Sequence, residues 1–125
     1  MAKFEYLNVS PDLGHHNDCV TRAITLATGL PYKKVRKKLF HTAKLLECEK
    51  LCVMCYKFLI EDVFKGKRTN CDGMFPADFA DLHPKGTYLL RMNGHICCLI
   101  NNTIYDIFDS RYMDYLTDAW LINYE

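Results

Sequence analysis

The stretch Asn17-Asp18-Cys19-Val20-Thr21-Arg22-Ala23-Ile24 sets a cysteine just inside the start of a predicted apolar helix. Asn17 or Asp18 is a suitable N-cap, and Thr28-Gly29 ends the helix. The inward face of this helix is marked by Val20, Ala23, Ile24 and Ala27. A helix dipole and a nearby imidazolium both stabilise a thiolate, so a thiol in this position suits nucleophilic chemistry. Cys19 is therefore the candidate nucleophile.

The composition predicts one domain over residues 1–125. Of the 125 residues, 50% are hydrophobic and 13% aromatic, which is enough material for a core. The chain carries 16 basic and 15 acidic side chains and a formal net charge of +1 at pH 7. Since a balanced charge gives no overall attraction to nucleic acids or anionic membranes, neither is expected as a partner.

The seven cysteines do not indicate a disulfide scaffold. Their number is odd, and the N-terminal residues contain no apolar signal segment. The longest apolar run, Ile96 to Ile100, is far short of the roughly 20 residues needed to cross a bilayer. We therefore expect a cytoplasmic protein with reduced thiols and no cofactor.

The fold class predicted from the element order is α+β, with residues 1–83 mainly helical and residues 84–125 mainly an antiparallel sheet. A short edge strand around Phe4 and Tyr6 precedes the first helix, and Pro31 begins the second. The lysine-rich residues 33–38 are interpreted as a solvated face of that second helix. The later helices are expected at about Leu51–Phe64 and within Pro76–Leu82.

The sheet is predicted to form around a hairpin. Strands at Thr87–Met92 and His95–Ile100 flank Asn93-Gly94, a strong two-residue turn signal. The chain then returns through a strand at Ile104–Phe108, and a last strand covers about Ala119–Tyr124. His95 therefore stands at the start of a strand, directly after a turn.

The register of the next hairpin decides which acid accompanies His95. With Asn101-Asn102-Thr103 as a three-residue loop, His95 lies opposite Asp109, within reach of a hydrogen bond to the imidazole Nδ1. Asp106 then points to the other face and is the alternative acid. A two-residue turn would shift the register by one and exchange the faces.

These residue types suit the steps of acyl transfer. The Cys19 thiolate attacks an acyl carbon, His95 protonates the leaving group, and Asp109 orients the imidazole. The backbone N–H of Cys19 and the side-chain amide of Asn17 are the expected donors to the developing oxyanion. The alternative is that these residues have ordinary core and capping roles.

A second cysteine pattern favours a different chemistry. Cys48, Cys52 and Cys55 have the spacing of an iron–sulfur ligand set, and with Cys71 or His83 they could form a zinc site. The same three positions also share one face of a continuous helix, where buried thiols simply extend an apolar stripe. We prefer the second interpretation and expect no metal.

Two segments resemble a known group of enzymes. The stretch from Asn17 to Val35, with Cys19 near its start, looks like the beginning of papain-like cysteine peptidases of the C39-like kind, including small bacteriophage proteins. The segments around Gly94-His95 and from Ile104 to Ser110 resemble the His and Asp segments of that group. Residues 13–16 contain no glutamine of the kind that usually precedes the cysteine, so Asn17 or a histidine would replace it.

The resemblance implies a helical half bearing the nucleophile, packed on an antiparallel sheet bearing His and Asp. It implies hydrolysis of a peptide, isopeptide or related amide bond, or acyl transfer to an amine, with a protein or peptide as substrate. The alternative is a non-catalytic papain-like binding protein, such as a phage protein that inhibits a host factor. In either case the protein would act in the cytoplasm, which is the host cytoplasm if the protein is viral.

Overall fold

A computed structural model describes residues 1–11, 18–49 and 52–122. In this part of the chain the fold is α+β, with four helices and one six-stranded mixed sheet. The helices are α1 (Cys19–Thr28), α2 (Tyr32–Leu46), α3 (Val53–Phe58) and α4 (Pro76–Leu82). The strands are β1 (Lys3–Tyr6), β2 (Lys67–Arg68), β3 (Thr87–Met92), β4 (His95–Ile100), β5 (Thr103–Asp106) and β6 (Leu116–Ile122).

The sheet has the strand order β1-β5-β4-β3-β6-β2. The predicted edge position of β1 is confirmed, but β1 pairs with β5 in parallel. The remaining pairs are antiparallel, so the sheet is mixed rather than purely antiparallel. The predicted strands on both sides of Asn93-Gly94 are confirmed with their bounds, and Met92 pairs with His95 across the turn.

The helical predictions hold for α1 and α2. Gly29 caps α1 in the left-handed conformation at φ 74°, a conformation that glycine adopts without a Cβ penalty. The third helix begins at Val53 and continues into a π-helical segment, Leu59–Val63, in which the Phe64 N–H donates to the Leu59 carbonyl at 3.0 Å.

Side chains of neighbouring sheet residues enter two different cores. Ile96 and Cys98 pack against α1, α2 and α3, whereas Cys97 and Leu99 pack with Phe79 of α4. This alternation follows from the two-residue period of a strand, and it explains why β4 is buried on both faces. The first residue of β4, His95, lies at the end of the sheet where α1 begins.

Candidate active site

Cys19 is the first residue of α1, as predicted, and is half-buried. Asp18 occupies the N-cap position, but its carboxylate makes no capping hydrogen bond to the helix backbone. Asp18 instead forms an ion pair with Arg22 and accepts a hydrogen bond from the Tyr32 hydroxyl at 2.9 Å. The carboxylate therefore ties the position of Cys19 to both α1 and α2.

His95 is buried at the start of β4 and contacts two functional groups. Its Nε2 lies 2.6 Å from Oδ2 of Asp106, and its ring lines one cavity together with Cys19, whose thiol raises the pKa of His95. Since Nε2 is held by Asp106, Nδ1 is the ring nitrogen left for the thiol. The Phe108 ring covers the imidazole at a centroid distance of 4.9 Å.

Asp106 is the acid of this arrangement. It is 4% exposed and accepts hydrogen bonds from the Ser110 hydroxyl at 2.9 Å and the Ile107 N–H at 2.8 Å. The Arg22 guanidinium lies 4.0 Å from the same carboxylate. A buried carboxylate that is bound on several sides is held in one orientation, so it also fixes the orientation of the His95 ring.

The prediction that Asp109 lies opposite His95 is wrong. Asp109 is exposed, and both of its carboxylate oxygens bind the Arg111 guanidinium, at distances from 2.8 to 3.2 Å. This contact with Arg111 lowers the pKa of Asp109. The side chain therefore contributes to a surface ion pair and not to the cluster around Cys19.

The error has a definite cause in the turn before β5. Asn101 and Asn102, at φ 45° and 70°, form a two-residue turn, and Ile100 pairs with Thr103 instead of Ile104. Asparagine tolerates this left-handed conformation, and a turn with two such residues matches the twist of a hairpin. The one-residue shift brings Asp106 to the face of His95, diagonally across the two strands.

The electrostatics favour a charged imidazole. Burial lowers the pKa of His95, but the hydrogen bonds to Asp106 and Cys19 outweigh burial and raise that pKa from 6.5 to about 9. His95 is therefore protonated at neutral pH and can stabilise a thiolate at Cys19. This is the electrostatic arrangement that a cysteine nucleophile needs.

A cavity of about 320 Å³ opens beside Cys19 and His95. Its lining also includes Tyr56 of α3, Arg91 of β3 and the Asn93-Gly94 turn. The cavity borders the thiol, which leaves space for the acyl group of a substrate.

The polar wall of this cavity is built from two elements. The Arg91 Nε–H donates to the Tyr56 hydroxyl at 2.7 Å, and Arg91 Nη1 binds Asp118 at 2.7 Å. Asp118 in turn pairs with Arg68 and, at 3.4 Å, with Lys57. Burial raises the pKa of Tyr56, so its hydroxyl keeps a proton that it can donate toward the cavity.

Two further predictions concern the oxyanion donor and the helix that carries the cysteine pattern. Asn17, the expected oxyanion donor, lies outside the described residues. Cys48 lies between α2 and α3 rather than on the predicted continuous helix, although Cys48, Cys52 and buried Cys55 all pack against the helical core. Within residues 1–11, 18–49 and 52–122, no three His, Cys, Asp or Glu side chains are arranged to hold a metal ion.

Sequence reasoning did not identify Arg22, Ser110, Tyr56 or Arg91 as site residues. Helical spacing places Arg22 away from the apolar stripe of Val20 and Ala23 and so predicts an exposed side chain, whereas the structure buries it beside Asp18 and Asp106. Tyr56 and Arg91 are 35 residues apart, and no local pattern connects them.

No described helix combines the length and apolar character needed to span a membrane. Comparisons of the chain with protein-family models, with curated proteins and with solved structures find no match.

Proposed function

We propose that this protein is a cysteine hydrolase that cleaves a peptide, isopeptide or related amide bond. Cys19 is the nucleophile, His95 the general acid and base, and Asp106 the orienting acid. The observation that carries the proposal is the buried His95–Asp106 hydrogen bond beside a cavity that Cys19 and His95 line together.

The reaction follows from the proton positions. The Cys19 thiolate attacks the carbonyl carbon, and His95 donates its Nδ1 proton to the leaving amine as the C–N bond breaks. The resulting thioester is hydrolysed by water that His95 deprotonates, which returns Cys19 as thiolate and His95 as imidazolium. Attack by an amine in place of water would give acyl transfer.

Negative charge on the carbonyl oxygen needs hydrogen-bond donors. The backbone N–H of Cys19 lies in the first turn of α1, where N–H groups have no intrahelical acceptor. The Tyr56 hydroxyl is the second donor in this proposal, because it borders the same cavity and is polarised by Arg91. The amide of Asn17 remains a candidate from the sequence.

The proposal extends to the fold family of the protein. The order of Cys, His and Asp, with a helix carrying the thiol and a sheet carrying the other two, supports a papain-like fold of the C39-like kind. We propose that the substrate is a cytoplasmic protein or peptide and that the reaction needs no cofactor. If the protein comes from a phage, the reaction would take place in the host cytoplasm.

An acylation experiment tests the proposal without knowledge of the natural substrate. The intact protein is incubated with p-nitrophenyl acetate, and the acetylated residue is located by mass spectrometry. Acetyl transfer to Cys19, lost in Cys19→Ala and His95→Ala and retained in the matched control Cys52→Ala, supports the hydrolase. Acetylation that is spread over the cysteines, or unchanged in His95→Ala, overturns it.

A second candidate function is a non-catalytic binding protein. It is favoured by an aromatic cluster at the start of α4: half-buried Phe75 stacks on Tyr115 at 4.3 Å, and Tyr112 meets Phe75 edge-on. Tyr112 and Tyr115 are 60% and 56% exposed, and aromatic side chains are enriched in protein interfaces. An inert Cys19 together with capture of a specific partner would favour this candidate.

A further inference from the structure

The outward face of α2 carries an unusual concentration of positive charge. Six of the chain's sixteen basic residues lie in this helix, and Tyr32–Leu46 contains no acidic residue. They are Lys33, Lys34, Arg36, Lys37, Lys38 and Lys44. The rest of the chain holds ten basic and fifteen acidic side chains, a formal charge of −5, so the balanced net charge hides a strongly basic surface.

Within residues 1–11, 18–49 and 52–122, no acidic side chain pairs with these cations. Among the described residues, the ion pairs of lysine and arginine side chains belong to Arg22, Lys57, Arg68, Arg91 and Arg111. No cation of α2 takes part in them. Glu47 and Glu49 follow the C-terminal end of α2, away from the cations at residues 33–38. In the π-helical Leu59–Val63, Glu61 binds Arg68 and the Trp120 indole N–H.

The clustering of positive charges on α2 lowers the stability of this helix. Lys33 and Lys37 are four residues apart, as are Lys34 and Lys38, so like charges lie next to each other on the helix surface. Lys33 and Lys34 also lie in the first turn, where the helix dipole disfavours positive charge. A bound polyanion would remove both penalties.

The shape of the surface suits an extended ligand. A groove of about 420 Å³ between α2 and the π-helical segment is lined by Lys34, Lys37, Lys38, His41, Thr42, Leu59 and Val63. A second concave surface of about 680 Å³ is lined by Lys33, Lys34, Arg36, Lys37 and Phe40. The two share Lys34 and Lys37, so the positive charge is continuous over residues 33–38, about 9 Å of the helix axis.

We propose that this face of α2 binds nucleic acid through its phosphate backbone. The series of cations matches a chain of phosphates, each of which carries a negative charge. A membrane surface fits less well, because membrane-bound helices bury an apolar face in lipid. The apolar face of α2 is already buried in the core through Val35, Leu39 and Ala43. The proposal does not depend on catalysis by Cys19.

Fluorescence anisotropy with the full chain tests the proposal. The probes are a labelled single strand of about 16 nucleotides and its duplex. We expect binding at about 50 mM salt that weakens by about a hundredfold at about 200 mM, as release of counterions from about four contacted phosphates requires. The double variant Lys34→Glu/Lys37→Glu should bind at least about tenfold more weakly, with a flatter salt dependence.

The matched control is Lys3→Glu/Lys85→Glu, which changes the net charge equally at two exposed positions outside α2. It should bind within about twofold of the wild type, since charge outside α2 is not part of the surface. Far-UV circular dichroism checks the fold, and Lys34→Gln/Lys37→Gln gives the same comparison if charge reversal disturbs the helix. Equal losses in the α2 variant and the control overturn the proposal. So does absence of salt-dependent binding, or binding to phosphatidylglycerol vesicles without binding to either oligonucleotide.

Discussion

The imidazole Nε2 of His95 lies 2.6 Å from the carboxylate Oδ2 of Asp106, and both side chains are buried. This contact leaves Nδ1 without the carboxylate, and together with Cys19 it raises the pKa of His95 to about 9, even though burial alone lowers it. A histidine held in this way is both charged and oriented at neutral pH. The contact therefore connects the strand register to the proposed chemistry.

Replacing the acid tests which aspartate supports His95. Asp106→Asn should slow acylation of Cys19 by about a hundredfold or more, because the amide cannot stabilise the imidazolium. Asp109→Asn is the matched control and should leave the rate within about twofold, since Asp109 binds only Arg111 in a surface ion pair. Acylation kinetics of the two variants are compared with p-nitrophenyl acetate. A larger loss in Asp109→Asn would refute the Asp106 assignment.

Ser110 should act through Asp106. Its hydroxyl is fully buried and donates to Asp106 Oδ2, so Ser110→Ala removes one buried hydrogen bond and should lower the free energy of unfolding by about 1 kcal/mol. Urea denaturation measures this change. The same variant should shift the pH profile of Cys19 acylation toward higher pH, because an Asp106 carboxylate that has lost a donor is more basic and stabilises the His95 imidazolium more strongly. An unchanged profile would indicate that Ser110 is only structural.

The raised pKa of His95 predicts how stability depends on pH. The protonated ring is favoured in the folded chain, so its contribution is complete below about pH 6.5 and is lost as the pH rises through about 9. The loss should amount to at most about 3 kcal/mol of unfolding free energy. Denaturation of wild type and His95→Gln across this range measures it. Equal pH dependence in the two proteins would contradict the shift.

Tyr56→Phe separates stabilisation of an oxyanion from activation of the thiol. Alkylation by iodoacetamide creates no carbonyl oxyanion, whereas acylation by an ester does. The variant should therefore acylate about ten- to a thousandfold more slowly while its alkylation rate stays within about twofold. Tyr88→Phe, which removes a hydroxyl on the α4 side of the sheet, is the control. Equal losses in both reactions of Tyr56→Phe would assign Tyr56 to packing.

Local sequence signals predicted most of the elements that carry the site. The N-terminal position of Cys19 follows from helix-start and helix-end signals at Asp18 and Gly29, and the bounds of β3 and β4 follow from Asn93-Gly94. These features depend on a few neighbouring residues. Short-range backbone preferences are therefore sufficient to predict them.

Local sequence signals do not predict Asp106 as the acid or the Tyr56–Arg91 wall of the cavity. Two left-handed asparagines replaced the expected three-residue turn, and a one-residue change in register exchanged Asp109 for Asp106. The pairing of Tyr56 with Arg91 joins α3 to β3 across the core. Such contacts are fixed by tertiary packing, which no single segment of the sequence specifies.

The central claim is that His95 activates Cys19. The most direct measurement is the iodoacetamide labelling rate of each of the seven cysteines between about pH 5 and pH 9, determined by mass spectrometry on wild type and His95→Ala. We predict that Cys19 labels fastest well below about pH 8 and loses this advantage in His95→Ala. If Cys19 labels no faster than the other half-buried cysteines, Cys48 and Cys52, or labels equally fast without His95, the proposed catalytic site is contradicted.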